Sequence, residues 1–224
     1  MTARAHVGEY DTEPVRGLPE DLPAGERILW QGAPRWQGLA RRALHVRKVA
    51  LYFGLLVLWR AGAAIAWGED PLEAARAVSI LASLGALAVG ILAGIAWLEA
   101  RATVYTITDR RVVLRFGVAL TMAVNLPHRG TQAAGFHPYP DGTGDLSLVV
   151  PGAGDLGFVL LWPHVRPWRF GRRVEPMLRA VPDARAVAAV LARALAASAD
   201  QPSPALPETE AAAAAPAGAA PALS

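Results

Sequence analysis

Two long apolar stretches joined by a short polar segment constrain this chain more than any other feature. Residues 49–67 are apolar except for Arg60, and residues 77–98 contain no charged side chain. Each is about 20 residues long, which at about 1.5 Å per residue spans a hydrocarbon core of about 30 Å. A backbone in lipid must satisfy its own hydrogen bonds, so both stretches are predicted to be helices of a transmembrane hairpin over residues 49–98. Their length disfavours the alternative of two buried helices in a soluble protein.

The charges beside these stretches predict their orientation. The connecting residues 68–76 carry three acids and one arginine, whereas the outer flanks of both stretches are basic. Because basic residues near membrane helices favour the cytoplasmic side, we predict that both termini are cytoplasmic and that the connection lies outside. The basic residues before the hairpin are Arg35, Arg41, Arg42, Arg47 and Lys48, and those after it are Arg101, Arg110, Arg111 and Arg115.

Outside the hairpin the chain shows the two-residue period of β-strands. A C-terminal helix follows, for which Asp183 is a good N-cap and in which Val187, Val190, Leu191 and Leu195 share one stripe. The predicted fold is therefore an α+β membrane protein, in which the hairpin is inserted into an antiparallel β domain closed by the C-terminal helix. Strands are predicted within residues 25–36 and at residues 103–108, 112–116, 118–126, 146–150 and 158–162.

These patterns divide the 224 residues into an anchor and one domain of modest size. Residues 1–24 are predicted to be a flexible leader without the apolar core of a signal peptide. Residues 25–48 supply the first strand and a basic juxtamembrane segment, and residues 99–200 form the rest of a cytoplasmic domain. Residues 201–224, rich in Ala and Pro, are predicted to be disordered.

Several motifs resemble a known family. Residues 26–34 (ERILWQGAP) resemble the "E-x-x-L-W-x-G-x-P" opening of the bacterial pleckstrin-homology-like membrane domain, and residues 105–111 (YTITDRR) resemble the "Y-x-I-T-x-x-R" that follows its two membrane helices. A narrower pattern joins residues 160–171 (LLWPHVRPWRFG), residues 176–183 (PMLRAVPD) and an Ala-rich amphipathic helix. It is similar to the PuhB family, the photosynthetic-complex assembly proteins of purple bacteria.

The resemblance implies a pleckstrin-homology-like (PH-like) domain and a role in assembling the reaction centre and its core antenna. The implied partners are reaction-centre subunits, with the H subunit as one candidate, in the bacterial inner (intracytoplasmic) membrane. Membrane lipids are a further expected partner, and a homo-oligomer is left open. The alternative is a general bacterial PH-domain membrane protein that binds lipid or acts in envelope stress, which explains the fold equally well but not the narrower pattern.

Residues 162–173 concentrate aromatic side chains and arginines, which suit protein interfaces and lipid headgroups. The competing interpretation is a solvated loop whose tryptophans cap the sheet. Nucleic-acid binding is not expected, because no recognised motif is present. The candidate partner-binding residues in this segment are Trp162, His164, Arg166, Trp168, Arg169 and Phe170.

Arg60 is the one charge inside the predicted spans, where it costs about 2.5–3.5 kcal/mol on insertion scales. Neither predicted span contains an acid, which favours a partner outside the chain, whereas the alternative is that the span is shifted and Arg60 lies near an interface. Gly85, Gly90 and Gly94 in the second span permit close helix contact or reflect ordinary transmembrane composition.

No catalytic machinery is predicted. The chain has no cysteine, which excludes disulfides, iron–sulfur clusters and thiolate zinc sites. None of its five histidines lies in a span, and no pair has metal-ligand spacing. Residues 141–145 (DGTGD) and 152–155 (GAGD) are typical of turns. We therefore expect a non-enzymatic protein without a cofactor or metal.

Overall fold

The computed structural model describes residues 17–18, 22–118, 120–150, 161–166 and 174–199. Within these residues the chain forms four helices and seven strands. The helices are α1 (Trp36–Arg42), α2 (Val46–Ala66), α3 (Pro71–Ala102) and α4 (Ala184–Ala199). The strands are β1 (Ile28–Gly32), β2 (Val104–Thr108), β3 (Arg111–Phe116), β4 (Met122–Pro127), β5 (Gln132–Pro138), β6 (Gly144–Val149) and β7 (Met177–Val181).

Helices α2 and α3 pack against each other as a hairpin, and by length and composition both can cross a membrane. Helix α3 has 32 residues and is about 48 Å long, so it exceeds the predicted span at both ends. It begins at Pro71 because the Asp70 carboxylate accepts hydrogen bonds from the backbone N–H groups of Leu72 and Glu73, at 2.9 and 3.2 Å.

The outer faces of the hairpin are apolar and unusually exposed. Of the three glycines noted in the second span, only Gly85 lies at a helix contact: a Cβ there would come within 2.7 Å of the Phe53 Cβ. A Cβ at Gly90 or Gly94 would meet nothing within 4 Å. The exposed large side chains include Leu51, Leu55, Leu58, Ile80, Leu84, Leu87 and Ile91.

The strands form two antiparallel sheets, with the orders β1-β2-β3-β4 and β5-β6-β7. Strand β1 pairs with β2, with Ile28 opposite Thr108, although the whole hairpin lies between them in sequence. The Asp109 carboxylate accepts a hydrogen bond from the Arg27 backbone N–H at 2.9 Å and helps to join the two strands. The predicted insertion of the hairpin into an antiparallel domain is thus present in the structure.

The core lies between the two sheets and α4. Tyr105, Ile107 and Leu114 of the first sheet are fully buried there, together with Leu148 and Leu178 of the second. Helix α4 contributes Val187, Leu191 and Ala194, while Val190 and Leu195 are partly buried against the same cluster. The stripe that the sequence predicts is therefore the face that α4 turns toward the core.

Four parts of the structure differ from the sequence prediction. Strand β4 begins at Met122 rather than at residue 118, because Gly117 adopts a φ of +109° in a turn where a Cβ would approach the Leu120 carbonyl oxygen. Strands β5 and β7 were not predicted. Of the strand predicted at residues 158–162, only Leu161 and Trp162 are described, and neither lies in a strand.

At the N-terminal end, the folded domain begins earlier than predicted. Within the predicted leader, Leu18 is buried at 2% exposure, so the folded domain includes residues before the predicted boundary at residue 25. Leader residues 1–16 and 19–21, and the predicted tail at residues 201–224, lie outside the described residues.

Helix α1, which the sequence did not predict, joins the hairpin to the β domain. Its Leu39 and Ala40 pack against Ala96 and Ala100 of α3. On the opposite side, a Cβ on Gly38 would lie 2.4 Å from the Cβ of Ala180 in β7, so only glycine permits this approach. The backbone N–H of the residue before α1 donates to the Ala180 carbonyl at 2.9 Å. The basic juxtamembrane segment is therefore an ordered connection.

Candidate functional site

An exposed tryptophan and an exposed arginine mark the described part of the aromatic and basic segment. Trp162 is 46% exposed, and the Arg166 side chain forms a 3.0 Å ion pair with Glu175. The Arg166 backbone N–H also donates to the Glu175 carbonyl, and the Met177 N–H donates to the His164 carbonyl at 2.9 Å. Residues 161–166 are thus held beside the start of β7, with Trp162 and Arg166 directed outward.

The other candidates in this segment have different outcomes. Trp168, Arg169 and Phe170 lie outside the described residues. His164 is fully buried, so the prediction that it contacts a partner directly is wrong. It is instead an internal anchor for the segment.

Hydrogen bonds fix the orientation of the His164 ring. Its Nδ1 lies 2.7 Å from the Tyr105 hydroxyl oxygen, and its Nε2 lies 3.2 Å from Thr103 Oγ1. The Arg179 backbone N–H donates to the same Tyr105 oxygen at 3.1 Å, which leaves the phenolic hydrogen for Nδ1. This arrangement favours the tautomer in which Nδ1 accepts from Tyr105 and Nε2–H donates to Thr103 Oγ1.

Burial keeps this network neutral. Desolvation, with a smaller contribution from the nearby Arg179 guanidinium, lowers the pKa of His164 to about 3. Desolvation also raises the pKa of Tyr105 well above its usual value. Neither group changes charge near neutral pH, so the network positions residues 161–166 against β2 and β7 and does not transfer protons there.

A cavity of about 390 Å³ opens beside this segment, between β5, β6 and α1. This volume lies within the usual range for sites that hold a small group or an anchoring side chain. Phe136, at 42% exposure, offers an apolar contact at the cavity. The residues that give the cavity its character are Arg42, Phe136, His137, Tyr139, Arg166 and Arg179.

The polar groups of the cavity are mostly held in place. Asp145 accepts hydrogen bonds from the Tyr139 hydroxyl at 2.9 Å and from the Ala180 N–H at 2.8 Å. Burial and the Asp145 carboxylate raise the pKa of Tyr139 to about 12. The Arg42 guanidinium lies 3.3 Å from the centre of the Tyr139 ring. Buried Arg179 donates to the Val165 carbonyl at 3.1 Å, while its Nε has no hydrogen-bond partner among the described residues.

This arrangement presents cationic and aromatic groups on a fixed scaffold. Cationic and aromatic groups of this kind suit contacts with acidic or aromatic side chains, and the exposed Trp162 and Arg166 of the same segment are residue types enriched at the centres of interfaces. In the part of the chain that the structure describes, no cluster of three or more His, Asp or Glu side chains could hold a metal ion.

Arg60 lies away from this surface and is paired within the chain. Its Nη2 lies 2.6 Å from Glu69 Oε2, in the short connection between α2 and α3. The connection thus supplies an acid that neither span contains, while Arg60 Nη1 has no hydrogen-bond partner among the described residues, so a contact of Arg60 outside the chain stays a prediction. Arg60 is six residues, or about 9 Å, from the end of α2, which agrees with the alternative that it lies near an interface.

Arg42, Tyr139 and Arg179 were not predicted as members of the candidate site. Arg42 was counted only among the basic flank, and Arg179 only as part of a family motif. Tyr139 precedes the predicted turn at residues 141–145, which was the one available signal. No local pattern indicates that these three residues meet.

Comparisons with known proteins define the class. The family model described as "Bacterial PH domain" matches residues 44–195, which include the hairpin, both sheets from β2 onward and most of α4. The chain belongs to this family. It is also 34% identical, over 197 residues, to an uncharacterised 23.7 kDa protein encoded in the region 5′ of puhA in Rhodobacter capsulatus. That match covers 87% of this chain and 91% of the relative, and is consistent with the PuhB family. No solved structure matches the chain significantly.

Proposed function

We propose that this protein is a non-enzymatic, membrane-anchored assembly factor for the photosynthetic reaction centre and core light-harvesting complex, which acts by protein–protein contact. The observation that carries the proposal is the relative that is 34% identical over 87% of this chain and is encoded in the region 5′ of puhA. The narrower motif at residues 160–183 supports the same function, and the exposed cationic and aromatic surface supports a contact mechanism.

The proposed anchor is the α2–α3 hairpin, inserted in the inner (intracytoplasmic) membrane with both termini in the cytoplasm. The exposed apolar faces of both helices would be costly in water, and the basic flanks favour this orientation. The absence of cysteine allows a direct test. In intact cells, a membrane-impermeant maleimide should label Glu73→Cys near the connection but not Arg193→Cys on α4. Labelling of Arg193→Cys alone would indicate the opposite orientation of the hairpin.

The proposed docking surface consists of Trp162, Arg166 and the adjacent cavity, together with Trp168, Arg169 and Phe170 by sequence. The ion pair with Glu175 holds the Arg166 guanidinium in place before binding, which reduces the ordering cost of an interface. Reaction-centre subunits, with H as one candidate, and the core antenna are the proposed partners. An acidic or aromatic patch near the cytoplasmic membrane surface would complement this site.

Deletion of the gene tests the proposal. Membranes from cells grown photosynthetically or at low oxygen should show reduced reaction-centre and core-antenna absorption in the near infrared, with pigment synthesis intact. Trp162→Ala combined with Arg166→Ala should reproduce the loss at normal protein abundance. The matched control is Arg193→Ala, on the exposed face of α4, which should leave the absorption of the membranes unchanged. Unchanged bands and unchanged phototrophic growth after deletion would refute the assembly role.

The second candidate function is that of a general PH-domain membrane protein that binds lipid or acts in envelope stress. A basic groove at the base of the hairpin favours it, because Arg35, Arg41 and Arg101 meet there. Normal photosynthetic membranes in the deletion strain, together with an altered response to envelope stress, would favour this function over the first. A gene neighbourhood without photosynthesis genes would point the same way.

A further inference from the structure

A second concave site lies where the hairpin meets the β domain. Helix α1, the last turn of α3 and the turn between β5 and β6 enclose a groove of about 490 Å³, distinct from the cavity beside Arg166. Gly38 and Ala100 form part of its apolar lining, and Asp141 and Thr143 lie at one side. The groove is large enough for a molecular group of the size of a lipid headgroup.

Three guanidinium groups give this groove a positive charge. The side chains of Arg35, Arg41 and Arg101 line it, and none of them forms an ion pair among the described residues. All three are exposed. Guanidinium groups bind phosphate oxygens through pairs of well-directed hydrogen bonds. The groove thus has unused capacity for a phosphate group.

The one acid in the groove does not cancel this charge. The Asp141 carboxylate lies 2.8 Å from Arg42 Nη2, and it also accepts hydrogen bonds from the Thr143 hydroxyl and N–H. These hydrogen bonds from Thr143, and the nearby Arg42, hold the pKa of Asp141 below its usual value. Asp141 is therefore neutralised by Arg42, which leaves the other three arginines for a ligand.

Two tryptophans line the groove, as expected for a site at a membrane surface. Trp36 and Trp97 line it at 39% and 45% exposure, and the Arg101 guanidinium lies 4.8 Å from the centre of the Trp97 ring. Trp97 is near the end of the apolar span, where indole rings favour the headgroup region. Arg101, one turn further along α3, then lies at the depth of the lipid phosphates.

We propose that this groove binds the phosphate of an anionic membrane lipid headgroup through Arg35, Arg41 and Arg101, with the two indoles beside the glycerol region. The proposal rests on the proposed insertion of the hairpin, but not on the assembly role. Helix α1, which carries Arg41, also contacts β7 through Gly38, so a bound lipid would stabilise the angle between the β domain and the membrane.

The test uses the full-length protein in neutral detergent micelles, with thermal unfolding or tryptophan fluorescence as the readout. A short-chain phosphatidylglycerol should bind, whereas short-chain phosphatidylcholine should bind at least tenfold more weakly and inorganic phosphate should have no effect at the same concentration. Arg41→Gln and Arg101→Gln should each weaken phosphatidylglycerol binding about fivefold. Arg193→Gln is the matched control and should bind like the wild type.

Any other outcome would refute the proposed lipid site. Equal binding by both lipids would show that charge does not select the ligand, and an equal effect of inorganic phosphate would identify a free-anion site. Unchanged binding in both groove variants would place the lipid elsewhere. Carbonate extraction of native membranes separates these failures from a failure of the anchor: a retained protein without lipid selectivity refutes this site alone, whereas a released protein refutes the inserted hairpin.

Discussion

The buried imidazole of His164 makes a specific prediction about stability and pH. In the unfolded chain its pKa is near the ordinary value of 6.5, whereas in the folded protein burial lowers it to about 3. Because the folded state resists protonation, stability from this group is fully present above pH 6.5. It is lost as the pH falls from 6.5 toward 3, by about 1.4 kcal/mol per pH unit.

The expected magnitude follows from these two pKa values. At pH 5 the unfolded histidine is about 1.5 pH units below its pKa, so the free energy of unfolding should be about 2 kcal/mol lower than at pH 7 from this residue alone. His164→Gln keeps one donor and one acceptor for Thr103 and Tyr105 but cannot be protonated. We expect this variant to be about 1–3 kcal/mol less stable at pH 7, with a smaller further loss at pH 5.

Urea unfolding of the full-length protein in neutral micelles, followed by near-ultraviolet circular dichroism, measures the effect. The loss between pH 7 and pH 5 should be about 2 kcal/mol larger in the wild type than in His164→Gln, and carboxylate contributions common to both proteins cancel in this difference. His137→Gln is the control, because His137 is exposed, and it should behave like the wild type. Equal pH-dependent losses in the wild type and His164→Gln would refute the reasoning.

Two other predictions concern the hairpin and its connection to the domain. Gly38→Val forces a side chain into β7 and should lower stability by about 1–3 kcal/mol in the same urea experiment, while Gly62→Val, where a Cβ meets nothing within 4 Å, should have little effect. Glu69→Gln leaves Arg60 without its ion-pair partner and should destabilise the hairpin by about 1 kcal/mol in a dodecyl sulfate titration. Glu73→Gln breaks an ion pair that is largely exposed and should lower the stability of the hairpin by less than half as much. Equal effects of the two variants would contradict a special role for the ion pair between Arg60 and Glu69.

Local patterns were sufficient to predict the hairpin, β2, β3 and the buried face of α4. Each of these elements has a continuous apolar run or a clear period, and its neighbours in sequence are also its neighbours in space. The pairing of β1 with β2 is the exception, because these strands are joined by the whole hairpin. The strand pattern before the hairpin predicted that β1 belongs to the same domain as β2, but it did not predict that the two strands pair.

The missed elements lack such local signals. Strand β5 has the sequence QAAGFHP, which has no alternation of apolar and polar residues, and β7 is short and buried on both faces. Helix α1 is seven residues long, too short for its period to be recognised. The candidate site depends on these elements, since β5 carries His137, β7 carries Arg179 and α1 carries Arg42. Its geometry could therefore not be predicted from sequence.

The outcome for His164 illustrates why residue type alone misleads. A histidine among arginines and tryptophans is typical of an exposed interface, but its neighbours in space are Tyr105 of β2 and Thr103 at the end of α3. Only its position in the sheet packing distinguishes an anchor from a contact residue. The same packing keeps Trp162 and Arg166, two residues away on either side, at the surface.

The anchor and the proposed docking surface are connected by a short series of contacts. Helix α3 holds α1 through Ala96 and Ala100, α1 contacts Ala180 of β7, and the neighbouring Arg179 binds the segment that carries Arg166. Arg42 adds a second link from α1 to the turn between β5 and β6. If the hairpin is inserted, Trp162 and Arg166 are held in one orientation relative to the membrane. An assembly factor with this property meets membrane-bound subunits at a defined height and angle, which reduces the rotational freedom lost when a complex forms.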